Sequence, residues 1–484
     1  MIQFCTSVYH YLRLIYSVFT YINDFNETNQ HNIILLDSII ERINKCGSVA
    51  IKCCQWITPK LEIIHLEEDD IINEDKPIWL NKLESFYENC DNHPISYTLS
   101  HYKEVFENNF NDEYEILDII GSGSIGQVYL IRDKPLTEFS VSKKYVMKIL
   151  HPNVKYEINF FRKFYRIIKY IPQVNRILNE NFPFDIHNFI NQFEEQYNFI
   201  NESNHLLHFK EMYKDNDFVI IPELIKCSDT IMIMSHEVGI PYDDLDINKY
   251  QKYKVALLLV SFIRNNQQIL NLYHGDMHKG NWKIRLSDDG THKLVIYDFG
   301  FCWSVPSPKI SMINKMIDIF EESDESGLTN INLMTEVLQC LLKYNEEDED
   351  IIYNTIHNYL RENINMIRPW TVNPSRLFKM TVHLCISENL TIDPVLIQIV
   401  ILLIQCQRIF EEFRITSSDK NIVSSYEVYR SKYLDWVSFY KTYHIFSEFN
   451  DFILTMLNER QIEIENIFDC IEMPDSIKAL ALNK

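Results

Sequence analysis

A chain of 484 residues, 46% hydrophobic and 24% charged, has the balance of a globular protein, long enough for a large two-lobed unit with an extension. Its 46 lysines and arginines face 68 aspartates and glutamates, a formal charge of −22. So acidic a composition argues against nucleic-acid binding, which draws its affinity from basic residues on phosphates, and it disfavours broad electrostatic docking on anionic lipid.

Residues 1–110 read as helical. Val8, Leu12, Ile15, Phe19 and Ile22 recur at the steps of one helical face. The first 23 residues carry one base, Arg13, and neither the basic start nor the small-residue cleavage site of a secretory signal. A helix packed on the body of the protein is the expectation, with an interfacial membrane helix as the alternative. Leu36, Ile40, Ile43, Gly47 and Ala50 repeat at helical spacing, and an acidic linker follows at 67–75. Between about 114 and 150 the pattern changes to short strands, with Tyr145, Met147 and Ile149 alternating against Val146, Lys148 and Leu150.

Residues 155–215 return to helix, with breaks near Pro172 and Pro183. Strands at 218–221 and 231–234 precede a long apolar helix at 255–270, then a hairpin of 282–286 and 293–297 turned at Asp289-Gly290. Beyond Ser307 the pattern is mainly helical. The most apolar run, 395–404, is interrupted by Gln398 and falls short of the roughly 20 residues a bilayer needs, so it reads as a buried helix. No transmembrane segment is expected, and the chain is expected to be intracellular, either soluble or peripherally membrane-associated. The eleven cysteines lack paired spacing, which suits reduced thiols, and no Cys/His cluster has zinc-ligand spacing.

Six of the ten glycines fall in three motifs, at Gly121, Gly123 and Gly126, at Gly275 and Gly280, and at Gly300. In so glycine-poor a chain each is expected to need close backbone approach or positive φ. The first motif, Gly121-Ser122-Gly123-Ser124-Ile125-Gly126-Gln127-Val128, lies between two predicted strands, where bare backbone N–H groups close over phosphates. Lys148, in the next strand, either points outward as strand lysines commonly do or faces the same cleft as the loop, where it would reach phosphate oxygens as a point charge. The second motif runs from His274 through Asp276 and His278 to Asn281, and the third is Asp298-Phe299-Gly300.

Asp276 and Asn281 stand five apart, as in the kinase loop H-R-D-x-x-x-x-N, and Asp298 follows at the distance a connecting hairpin needs. Phosphoryl transfer from ATP requires a carboxylate on the attacking hydroxyl, here Asp276, and oxygen ligands for Mg²⁺, here Asn281 and Asp298. His278 reads as structural or as orienting the loop around Asp276, and His236 and Glu237 as lining the end of a strand without chemistry.

In these motifs the chain resembles the UbiB/aarF-domain family of atypical protein-kinase-like proteins, associated with ubiquinone biosynthesis and quinone or lipid homeostasis. The resemblance spans about residues 40–305. Ser124 to Val128 matches S-I-G-Q-V, Lys148 with His151-Pro152 matches V-K-x-x-H-P, and His274 to Asn281 resembles H-A-D-P-H-P-G-N. Residues 193–209 resemble the family's E-x-D…E-A helix, which implies that Glu202 pairs with Lys148. Lys52-Cys53-Cys54-Gln55 resembles K-x-G-Q in an extension that lies over the active site.

The implied fold is α+β and protein-kinase-like, with a helical extension at 1–110, a β-rich N-lobe at 111–240 and a helical C-lobe at 241–484. The chain departs from the family in a Gly-Ser-Gly-Ser loop where alanines are usual, in Gln196 and Asn198 where the E-x-D acids align, and in Cys54 for the K-x-G-Q glycine. No A-P-E segment follows Asp298, which disfavours a conventional protein kinase.

The resemblance implies ATP and Mg²⁺ as cofactors, bound by Gly121, Ser122, Gly123, Ser124, Ile125, Gly126, Val128, Lys148, Glu202, Asn281 and Asp298. ATPase or small-molecule/lipid phosphotransferase activity is expected, with an unidentified acceptor. An aminoglycoside- or choline-kinase-like phosphotransferase and a non-catalytic nucleotide-binding scaffold are the alternatives.

Overall fold

The computed structural model describes residues 2–28, 30–65, 77–84, 92–134, 142–172, 186–245 except 215 and 217, six positions between 255 and 266, then 271–286, 292–306, 309–310, 331–363 and 374–404 except 403. The expected acidic linker, the break at Pro183 and everything beyond 404 lie outside these residues. The chain divides into two compact units, one of residues 1–181, 185–207 and 222–236, the other of 182–184, 208–221 and 237–484.

The first unit opens with helices α1 (Ile2–Thr28), α2 (Ile33–Cys46), α3 (Ser48–His65), α4 (Ile78–Glu84), α5 (Ile95–Phe106) and α6 (Phe110–Glu113). It continues with α7 (Val154–Ile168), α8 (Ile186–Gln196) and the start of α9 (Phe199–Met212). Asn32 begins α2 by accepting a hydrogen bond from the Leu35 amide, and the helix buries Leu36, Ile39, Ile43 and Cys46 at helical spacing. Gly47 then turns the chain at φ +91°, a conformation that side chains resist. Across that turn the Glu157 carboxylate of α7 accepts the Ser48 amide at 2.8 Å and so caps α3.

α1 packs on the body of the unit, and of the expected stripe Val8, Ile15, Phe19 and Ile22 are partly buried while Leu12 is not. Tyr11 is its anchor, 4% exposed, with its ring 5.5, 5.7 and 5.3 Å from those of Phe160, Phe161 and Phe164 on α7. Leu12 is 50% exposed.

The sheet of this unit is antiparallel, ordered β1-β2-β3-β6-β5, with β1 Tyr114–Ser122, β2 Gly126–Asp133, β3 Lys144–Leu150, β5 Leu224–Cys227 and β6 Ile231–Ser235. The alternation expected around Lys148 holds. Tyr129, Met147 and Ile233 lie in one register row and share a core with Tyr102 of α5 and Phe110 of α6. Val128, Lys148 and Met232 form the next row, on the opposite face. β5 is a strand that the sequence pattern did not reveal. Its residues are only partly buried, so it carries no clear alternation.

In the second unit β8 (Trp282–Leu286) and β9 (His292–Ile296) form the expected hairpin, whose turn lies outside the described residues. β4 (Val219–Ile220) adds parallel to β9, and β7 (Tyr273–His274) pairs with β10 (Cys302–Trp303). Of the expected helix at 255–270, Val255, Leu258, Leu259, Phe262 and Ile263 are described, and all five are helical and buried. Helices α10 (Ile331–Cys340), α11 (Glu349–Glu362) and α12 (Pro374–Glu388) follow.

A last helix begins at Asp393, whose carboxylate accepts the amides of Val395 and Leu396 at 2.9 and 3.1 Å, and it buries Leu396 to Leu402 as the apolar run predicts. Among the described residues no helix is long and apolar enough to cross a membrane, and eight cysteines are free thiols.

Candidate functional site

The glycine motif is the β1–β2 turn. Gly121 pairs with Val128 and Ser122 with Gln127, and the Gly123 amide closes the turn on the Gly126 carbonyl at 3.0 Å. Gly126 sits against β3, where a Cβ would lie 2.8 Å from the Ile149 carbonyl oxygen. Gly121 and Gly123 contradict the expectation made for all six glycines, because each has room for a Cβ and an ordinary φ. What they contribute is bare backbone. Ser124 and Ile125 are buried at the tip, and the Ser124 hydroxyl donates to the Gln55 side-chain carbonyl at 3.3 Å, joining α3 to the loop.

Lys148 and Glu202 meet as the resemblance implies. The Lys148 ammonium donates to both carboxylate oxygens at 2.8 Å and lies 5.2 Å from the centre of the Phe199 ring. Their side chains are 9% and 1% exposed, so each charge depends on the other for solvation. The two amides that replace acids in this chain do other work nearby. Asn198 caps the start of α9 by accepting the Ile200 amide at 3.1 Å, and Gln196 is buried at the end of α8. Burial pushes the Cys54 thiol up to about 12, which leaves it inert beside Thr58.

The second unit carries the acidic motifs. His274 is buried among the rings of Phe209, Phe262 and Phe299. Its Nε2–H donates to the Asp298 carbonyl while Nδ1 accepts the Asp276 amide at 3.4 Å, so one neutral imidazole ties the two motifs together. Burial, the largest influence, holds its pKa below the ordinary histidine value.

Asn281 donates its side-chain amide to the Asp276 carbonyl at 2.8 Å, which fixes the loop between them and leaves its carbonyl oxygen for a cation. Asp298 accepts the Gly300 amide at 2.8 Å, so Gly300 acts through its N–H. His278 stands 3.7 Å from the Asp276 carboxylate and accepts the Gly280 amide. Gly275 is the tightest of the described glycines. A Cβ there would lie 2.2 Å from Trp303 and 2.7 Å from Phe301, and its amide bonds the Phe301 carbonyl. Glu237, expected to have no chemistry, pairs with Arg285 at 2.8 Å.

Asn281 and Asp298 are hard oxygen donors, the kind Mg²⁺ takes when phosphate oxygens and water complete its shell. Among the described residues no group of three His, Cys, Asp or Glu side chains could hold a metal by itself.

Residues 87–332, half of the chain, match the model of the ABC1 atypical kinase-like domain. The chain belongs to this family. The ABC1 domain contains every motif described above except those of α3. Curated relatives include a probable serine/threonine-protein kinase, abkC, of Dictyostelium discoideum, 29% identical over 53% of this chain. Another is a probable protein kinase, UbiB, of Blochmanniella pennsylvanica, 28% identical over 40% of this chain. The match covers 36% of the length of each of these relatives.

Among solved structures, the complex of Rv3197 with erythromycin from Mycobacterium tuberculosis aligns over 67% of this chain and 82% of its own, at TM-score 0.40 and 14% identity. The Rio2 kinase–ADP/Mg²⁺–phosphoaspartate complex from Chaetomium thermophilum aligns over 75% and 95%, at TM-score 0.27 and 13% identity. The ABC1 domain makes this an α+β, kinase-like protein of the UbiB type.

Proposed function

We propose that the chain binds ATP with Mg²⁺ and either hydrolyses it or transfers its terminal phosphoryl group to a small-molecule or lipid acceptor, in a role tied to quinone or lipid metabolism. The observation that carries this reading is the buried, bidentate Lys148–Glu202 pair. Stability alone does not call for such a pair on a strand, since two apolar residues would pack there at lower cost, whereas kinases need the pair to aim an ammonium at phosphate.

In this reading the 121–126 turn and Val128 enclose the nucleotide, Lys148 holds phosphate oxygens, Asp276 accepts the acceptor's proton, and Asn281 and Asp298 hold Mg²⁺. The bound metal would neutralise charge on the phosphates. The missing A-P-E segment favours a small acceptor over a peptide, and the net charge of −22 opposes nucleic acid. The division into an extension at 1–110, an N-lobe at 111–240 and a C-lobe at 241–484 belongs to the same proposal.

The test is thermal stabilisation by ATP and by ADP, with and without Mg²⁺, for wild type and Asp298→Asn, with phosphate release followed in parallel. A metal-dependent shift that Asp298→Asn abolishes supports the site, and phosphate release separates an enzyme from a scaffold. No shift in wild type overturns the reading.

A further inference from the structure

Behind the glycine turn, on the core face of the sheet, lies a run of buried polar groups that the nucleotide reading does not use. His93, Thr98, Gln127, Tyr129 and His151 are each 9% exposed or less. His151 follows β3 and grips the turn twice. Its amide donates to the Ile125 carbonyl at 2.9 Å, and its Nε2 lies 3.0 Å from the Gly123 carbonyl, with the Ser122 hydroxyl at 3.5 Å.

The proton positions follow from chemistry. A carbonyl only accepts, so Nε2 of His151 carries the hydrogen and its Nδ1 is bare in the neutral ring. The His93 Nδ1, 2.8 Å away, must therefore donate to it, which leaves the His93 Nε2 to accept from the Thr98 hydroxyl at 2.9 Å. Thr98 in turn accepts from the Tyr129 hydroxyl at 2.7 Å, and Tyr129 from the Gln127 side-chain amide at 2.8 Å. The Gln127 side-chain carbonyl accepts the His93 amide at 2.8 Å and closes the ring. Every donor and acceptor named is satisfied in one sense only.

A trans peptide unit points its C=O and its N–H in opposite directions. Holding the carbonyls of Gly123 and Ile125 towards His151 therefore turns the next amides, of Ser124 and Gly126, away from it. Those are two of the turn's N–H groups that the nucleotide reading sets against phosphate. We propose that His151 is a positioning residue of the nucleotide loop: it aims the Ser124 and Gly126 amides at a polyphosphate, and His93 fixes the tautomer that lets it do so. The proposal rests on the nucleotide reading and adds the device that presets the loop.

The experiment measures amide hydrogen exchange across 119–130 in the nucleotide-free chain, together with the Kd of Mg·ADP, for wild type, His151→Ala, His151→Gln and His93→Phe. With one hydrogen bond lost, His151→Ala is expected to speed loop exchange and to weaken Mg·ADP, each by about fivefold to tenfold, while exchange in β3 and β6 is unchanged. His151→Gln, whose side-chain N–H can still donate to Gly123, should recover part of both effects. His93→Phe should act in the same direction as His151→Ala.

Loop exchange unaltered in His151→Ala, or faster exchange spread through the whole sheet with no rescue by glutamine, overturns the proposal and leaves His151 a packing residue. Binding in wild type that His151→Ala leaves unchanged overturns the proposal alone. No Mg·ADP binding in wild type overturns the nucleotide reading and, with it, the purpose assigned to His151.

Discussion

A lysine buried on a strand has to be neutralised where it stands, and Glu202 does that for Lys148 through two 2.8 Å hydrogen bonds. Removing one partner strands the other, so Lys148→Met or Glu202→Gln should each lower unfolding stability by about 3 kcal/mol. The double variant should regain most of that stability in urea denaturation while remaining unable to bind Mg·ATP. That pattern separates function from stability.

Gly275→Ala should cost about 2 kcal/mol by the same assay, because the added methyl meets Trp303 and Phe301 rather than open space. His93 supplies a pH prediction. Burial first, then the neighbouring His151 and His101, hold its pKa down to about 4. Between the ordinary value of about 6.5 and about 4 the unfolded chain takes up a proton that the native chain refuses, so this contribution to stability is lost as pH falls through that window. Denaturation of His93→Phe at pH 7 and pH 5 should show a smaller acid-side loss than wild type.

At the scale of elements, the junction between α2 and α3 depends on Gly47 and Glu157. Burial pushes the Glu157 carboxyl up to about 7, against the hydrogen bonds from Ser48 and Val49 that favour its charge. A raised carboxyl stabilises the fold below about 4.5 and loses that contribution as pH rises towards 7, opposite in sign to His93. Glu157→Gln should therefore flatten this alkaline-side decline, measured as urea midpoint from pH 5 to pH 8. Gly47→Ala should unfold earlier at every pH, since its φ and its contact with Glu157 both resist a side chain.

Elements with strong period were legible in the sequence. β3, the β8–β9 hairpin and the helix at 396–402 all carry the pattern that named them, whereas the stripe read through Leu36, Ile40, Ile43, Gly47 and Ala50 is broken at Gly47 into α2 and α3. The anchor of α1 was not legible, because periodicity counts apolar positions and cannot know that three phenylalanines of α7 await Tyr11. His93 was missed for the same kind of reason. A lone histidine 58 residues before its partner gives no local signal.

For the whole molecule, the deciding quantity is the charge of −22. Self-repulsion of that size is screened by salt, so stability should rise as ionic strength goes from about 10 to about 150 mM, read as an upward shift in Tm. Divalent cations will do the same without any specific site, and a nucleotide effect must be taken against Mg²⁺ alone at constant ionic strength. The family was legible in the sequence because its motifs are short and local. The Lys148–Glu202 contact was legible only through resemblance, since 54 positions separate the two. Acceptor chemistry has no comparable local signature.

The two-faced row structure of β3 has a consequence for how this chain can vary. Met147 belongs to the core row and Lys148 to the other, one residue apart. Substitution at either position damages one side chain. Loss or gain of a single residue inside β3 would put one part of the strand out of step with the other, turning core side chains outward or the lysine into the aromatic core. Variation in length, more than variation in identity, is what this strand should refuse, and deletion of Val146 should lower stability more than a conservative substitution at the same position.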